Sequence, residues 1–152
     1  LNMLPDPFDG LFISRNFTIT DGTSSLDVDN GTVTFPFRKL SADVSNISIG
    51  YDKNKFDVRL SYVSRSPYLD YLADDDSETI QEDLDNNNIR YTDDHTQIDF
   101  NLKYKINDNV SVKFDINNIT DEPEFYYWGT QNRLSQYDEY GTTYSIGIRY
   151  NL

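Results

Sequence analysis

The chain has 152 residues and a net charge of −13, with 26 Asp and Glu against 13 Lys and Arg, which argues against a nucleic-acid partner because phosphates demand a basic surface. It has no cysteine, so disulfides and thiolate metal sites are excluded, and no run of about 18 apolar residues, so a transmembrane helix is excluded too. Only 37% of residues are hydrophobic, yet 14% are aromatic, a richness at odds with disorder and in keeping with a fold that meets its surroundings on two faces.

Strict alternation of apolar and polar residues predicts six strands and no helix. The first, "LFISRNFTIT", places Leu11, Ile13, Phe17 and Ile19 on one face and Phe12, Ser14, Asn16, Thr18 and Thr20 on the other. Next, "SNISIGY" sets Ile47, Ile49 and Tyr51 against Asn46, Ser48 and Gly50, and "KFDVRLSY" sets Phe56, Val58, Leu60 and Tyr62 against Asp57, Arg59 and Ser61. The fourth strand, "TQIDFNLKYKI", opposes Ile98, Phe100, Leu102, Tyr104 and Ile106 to Gln97, Asp99, Asn101, Lys103 and Lys105. In "VSVKFDI" the apolar set is Val110, Val112, Phe114 and Ile116. The ending, "DEYGTTYSIGIRYNL", alternates from Tyr140 to Leu152, which predicts a final strand of more than ten residues.

Two connections, Asp52 to Lys55 and Asn107 to Asn109, are tight turns in which Asn and Asp tolerate the dihedrals. The other three, near 21–40, 66–91 and 120–136, are long and fall on one end of an up-and-down sheet. Strands of about ten residues, tilted, are what cross a bilayer as part of a barrel. Tyr51, Phe56, Tyr104 and Tyr150 near the short turns, with Tyr62, Tyr140 and Tyr144 toward the other end, suit its two interfaces.

Three segments then carry a family resemblance: "YDKNKFDVRLSYVSRSPYLD", "INDNVSVKFDINNITDEP" and "QYDEYGTTYSIGIRYNL". Together they resemble the C-terminal part of a TonB-dependent outer-membrane receptor. The "NITDEP" corner follows the penultimate strand, with Ile119 where Leu is usual, and the closing strand has Thr142 where Arg is usual. The resemblance implies an all-β fold, an antiparallel up-and-down transmembrane barrel of about 22 strands, to which residues 1–152 contribute about six. It further implies periplasmic short turns, extracellular long loops and a plug domain that this stretch lacks. Tyr144, Ile146, Ile148, Tyr150 and Leu152 would form the barrel-closing and insertion signal, although that signal usually ends in Phe or Trp.

In the extracellular loop "EPEFYYWGTQNR", the aromatics Phe125, Tyr126, Tyr127 and Trp128 beside Arg133 suit stacking on a ring and polar contacts with a ligand. Tyr126, Tyr127, Trp128 and Arg133 are therefore the candidate ligand-binding residues, against the plainer reading of a loop anchored to its neighbours. The acidic stretch from Asp70 to Asn88 lacks EF-hand spacing, and its charge is most simply for solubility. His95 is the only histidine, so no His-based metal site or catalytic triad is expected. Asp57, Arg59, Arg65, Asp99, Lys103, Lys105, Lys113 and Asp115 would face inward and pair across strands.

These readings amount to a transporter, not an enzyme, in the cell outer membrane, taking up a scarce carbohydrate, siderophore or vitamin with energy delivered through TonB. The partners expected are outer-membrane lipid, TonB through a region outside this stretch, the insertion machinery and a small-molecule ligand; no cofactor or metal is expected. A passive porin-type channel and a soluble all-β carbohydrate-binding module are the alternatives.

Overall fold

In a computed structural model the described residues are 4–28, 31–72 and 77–151. They are all-β with antiparallel pairing. The six predicted strands are present as β1 (Leu11–Ile19), β4 (Asp43–Lys53), β5 (Phe56–Arg65), β8 (His95–Lys105), β9 (Val110–Asn117) and β12 (Thr143–Tyr150). They form one sheet in the order β1-β4-β5-β8-β9-β12, each joined to the next along the chain. The sheet is open, with β1 and β12 as its edges.

The three long connections are not plain loops, which corrects the expectation of six strands without a helix. The first holds a hairpin, β2 (Thr23–Val28) and β3 (Gly31–Pro36); the second holds β6 (Tyr68–Tyr71), helix α1 (Ser77–Asp85) and β7 (Arg90–Thr92). The third holds β10 (Glu124–Trp128) and β11 (Leu134–Asp138). Strands β11-β10-β7-β6 form a second sheet, so the connections collapse on one end of the large sheet into a cap. Every buried apolar side chain among the described residues lies there: Val33, Leu69, Leu72, Ile80 and Ile89, with Leu26, Phe35, Leu84 and Tyr91 packed around them. Ile80 and Leu84 stand four apart on α1, which puts both on the helix face turned to this core.

No apolar side chain of the large sheet is buried: those on β8 and β9 are half-buried by their neighbours, and those on β12 are exposed. Register aligns that face in rows, for example Ile13–Ile49–Leu60–Phe100–Ile116–Tyr144 and Leu11–Tyr51–Val58–Leu102–Phe114–Ile146. The apolar stretch does not stay level. On β1 it covers Leu11 to Ile19, interrupted by Arg15, whereas on β9 and β12 it has slid toward the short turns, covering Val110 to Ile116 and Tyr144 to Tyr150. The slide averages about one residue per strand, or about 3.3 Å along for every 4.8 Å across, so the strands tilt about 35° from the normal to the apolar band.

The last strand is shorter than its pattern suggested. Gly141 has φ +73 and Thr142 Oγ1 donates to the carbonyl of Asn118 at 2.8 Å, which takes residues 140–142 out of the ladder. That bond closes on the "NITDEP" corner. Asn118 has φ 56, its Nδ2 donates to the Glu122 carbonyl at 3.0 Å, and its Oδ1 accepts from the Glu122 N–H at 2.9 Å. An Asn amide can reproduce a backbone turn in this way and tolerates the left-handed conformation. A second close fit lies on the polar face, where the Phe12 ring rests on the bare backbone of Gly50. A Cβ at Gly50 would come within 2.4 Å of that ring, and the Arg59 guanidinium stacks over Phe12 at 5.4 Å.

The inward charges pair less than expected. Asp57 stands opposite Lys103 and Lys103 opposite Lys113, yet the ion pair formed among them is Lys113 with Asp115 of its own strand, at 2.8 Å. Asp115 also accepts from Asn101 at 2.8 Å and from Ser145 at 3.1 Å, so neutral groups supply its cross-strand contacts.

Candidate functional site

The cap carries the candidate ligand residues, and alternation along β10 sends them to opposite faces of the second sheet. Tyr126 lies in a row with Thr92, Tyr68 and Gln136; Tyr127 lies in the next, with Tyr91 and Leu69. Tyr127 stacks on Tyr91, centroids 5.6 Å apart, and Phe125 follows at 6.2 Å, which ties both to the buried cluster. Burial, with Asp93 nearby, pushes the Tyr127 phenol above its usual range.

The face bearing Tyr126 is polar, with two arginines each set beside a carboxylate. Arg90 stacks over Tyr126 at 4.5 Å, donates to Gln136 Oε1 at 2.7 Å and lies 3.3 Å from an Asp70 carboxylate oxygen. Arg65 stacks over Tyr68 at 4.9 Å, lies 3.7 Å from Glu124 and donates to the Asp93 carbonyl at 3.2 Å. Because Arg65 ends β5 and Glu124 begins β10, this pair fastens the cap to the large sheet. Tyr126 donates to Glu124 at 2.7 Å, and burial followed by that carboxylate holds its phenol strongly raised. Between the two tyrosines sits Thr92, 1% exposed, whose hydroxyl finds no partner among the described residues.

Arg133 serves the cap itself. Its guanidinium donates to the Asn87 carbonyl at 3.2 Å and to Asn88 Oδ1 at 3.4 Å, just past the end of α1. Gly129 lies against the same turn: it has φ +66, and a Cβ there would stand 2.0 Å from the Asn87 carbonyl oxygen. Trp128 is partly exposed at the end of β10, its backbone N–H donating to the Arg133 carbonyl at 2.9 Å. The four candidates are thus not one cluster: Tyr126 and Trp128 share a face, Tyr127 packs inward, and Arg133 braces a turn.

Sequence reasoning placed Arg65 among the inward charges and passed over Arg90, Tyr68 and Glu124. "NIRYT" was the available signal, an alternating trio too short to stand out from a loop. On β12, Tyr144, Ile146, Ile148 and Tyr150 all point to the exposed apolar side, Ile146 and Ile148 at 77% exposure each. Leu152 lies outside the described residues. Asp83 Oδ1 accepts from Asn88 and Asp85 from Gln81, and no cluster able to hold a metal ion occurs among the described residues. No family model, curated protein or solved structure matches the chain.

Proposed function

We propose that this chain is the C-terminal barrel portion of a TonB-dependent outer-membrane transporter. In this reading the apolar face meets lipid, the polar face lines the interior, and the cap is part of the outer surface where ligand arrives. The transporter takes up a scarce ligand (carbohydrate, siderophore or vitamin) with energy delivered through TonB.

The observation that carries the membrane half is the apolar band. It runs over six strands with none of its side chains buried, half-buried by one another at the centre and exposed on β12, and is edged by aromatics such as Tyr144 and Tyr150 on β12. A sandwich face would be covered by a second sheet about 10 Å away, whereas here the cap takes its own core elsewhere. The oblique course of the band supports the same reading, because barrel strands tilt about 35–45° in a bilayer and a band cut across tilted strands must slide along them. The transport half rests on the three resembling segments, of which the Asn118 corner is a clasped turn well suited to end a strand at the outer rim.

The chain has no native cysteine, so single cysteines can be placed along β12 of the full chain in lipid vesicles. A fluorophore at positions 144, 146 and 148 is expected to be quenched by nitroxide lipids, and one at 145, 147 and 149 is not. Equal quenching on both sets would sink the membrane reading. Ligand accumulation by cells carrying the full-length gene, abolished when the proton gradient or TonB is removed, tests transport separately.

A further inference from the structure

The strands of the large sheet carry three charges on their apolar side, and two of these stand at its margins. Asp43 begins β4 opposite Ile19, at the long-loop end; Lys53 ends β4 near the short turns, where Asp6 and Asp9 both pair with it. The third charge is placed differently. Arg15 is rooted midway along the apolar stretch of β1, between Ile13 at 66% exposure and Phe17 at 49%. Its row continues through Ile47, Tyr62 and Ile98, without a carboxylate. Among the described residues the guanidinium takes no ion pair or hydrogen bond, and it lies over the Phe17 ring at 5.8 Å.

A guanidinium held in hydrocarbon is costly, and a long side chain escapes by carrying its head to the interface. The stack on Phe17 shows which way Arg15 leans: two residues along β1, toward the long loops. The row at that level is Phe17, Ser45, Ser64 and Thr96, the first in which hydroxyls replace apolar groups on β4, β5 and β8. Thr96 donates to Ser64 at 3.4 Å, whereas the Ser45 hydroxyl, next to Phe17, has no partner among the described residues. An unpaired cation and an unpaired hydroxyl thus meet at the margin of the band. A guanidinium fork fits the paired oxygens of a phosphate, and a hydroxyl can donate to a further one.

We propose that Arg15 and Ser45 hold the phosphate of an anionic lipid at the long-loop margin of the apolar band. This rests on the membrane reading given above. A lipid fits better than a carboxylate on a strand along the free edge of β1, because the hydroxyls gather on β4, β5 and β8, away from that edge. Asp43, two residues beyond Ser45 and so about 6.6 Å along the strand, bounds the site and repels the anion.

The test places the full chain in phosphatidylcholine vesicles holding a minor share of phosphatidylglycerol. A fluorophore is attached to a single cysteine at position 47, directly opposite Arg15, or at position 146 for reference. Bromine is carried on the acyl chains of one lipid or the other at equal mole fraction. At 47 the anionic lipid should quench as if enriched about fivefold, the worth of one arginine beside anionic lipid; at 146 the two should quench alike. Arg15→Gln should remove the enrichment, Arg15→Lys keep part of it, Ser45→Ala lessen it and Asp43→Asn increase it. Quenching by both lipids, equal at 47, would overturn the proposal and leave the membrane reading intact, a carboxylate of a neighbouring strand then being the partner of Arg15. Enrichment that survives Arg15→Gln would overturn it as well. No quenching by either lipid at 47 and 146 would remove the membrane reading and this site together.

Discussion

The cap and the large sheet are built from the same alternating chemistry, yet they treat their apolar side chains in opposite ways. The cap is made of strands of three to six residues and one helix, and it buries Leu69 and Leu72 to 2% exposure. The sheet is made of strands of eight to eleven residues, and it leaves Ile19, Ile146 and Ile148 more than 70% exposed. A short strand gains little from its own ladder and needs a core, so cap elements from three connections close on one another. A long strand is held along its ladder, by neighbours on both sides within the sheet and on one side at β1 and β12, and its apolar face remains free to meet another medium. The difference therefore separates what holds each region together: packing in the cap, the ladder and its surroundings in the sheet.

Substitutions that act on one region and not the other sharpen this contrast. The largest effect is expected at Leu69→Ala, where loss of a buried side chain at the centre of the cap costs about 2–5 kcal/mol. Hydrogen exchange should report it as lost protection in β6, β7 and β10 with little change in β8. Next comes Ile146→Arg, expected to cost about 2–4 kcal/mol when the face meets hydrocarbon. Urea titration in vesicles measures that cost, and a change under about 0.5 kcal/mol would mean the face meets water. Smaller, at about 1–3 kcal/mol, is Asn118→Ala, which leaves the Glu122 N–H without its acceptor and the left-handed turn without its usual residue. Its effect should appear at the β9–β12 end of the sheet first.

The smallest effect is a pH dependence confined to the cap. Burial and Glu124 raise the Tyr126 phenol above its ordinary value of 10.0. A group whose folded pKa is raised stabilises fully below the unfolded value and loses that contribution as pH rises through the folded one. Above about pH 10, near-ultraviolet circular dichroism of the cap tyrosines should begin to fade while the sheet's far-ultraviolet signal holds; Tyr126→Phe should lessen the alkaline step, the buried Tyr127 phenol keeping its share.

The sheet was legible in the sequence because a two-residue period sustained over eight or more positions has few other readings. Its turns were legible for a local reason, the Asn and Asp residues at 52–54 and 107–109, with Asn54 indeed at φ 56. The cap was hidden because its strands are too short for a period to establish itself. Arg90–Thr92 offers three residues, and α1 was masked by charge, its Ile80 and Leu84 being the only apolar hint in "SETIQEDLD". Aromatic and charged residues at Tyr126, Tyr127 and Arg133 did stand out. Their division between two faces and a turn depended on pairing partners far away in the chain, which no local pattern specifies.

The Phe12 ring lying on Gly50 beneath Arg59 has a genetic consequence. Neither position is free to vary alone, because a side chain at 50 needs the volume the ring now fills, and a smaller residue at 12 leaves Arg59 without its aromatic seat. The dependence is unequal. A Cβ at Gly50 would also stand 2.6 Å from the Val58 carbonyl oxygen, so shrinking residue 12 would not by itself rescue Gly50→Ala, and glycine at 50 should persist even in related chains that lack an aromatic at 12.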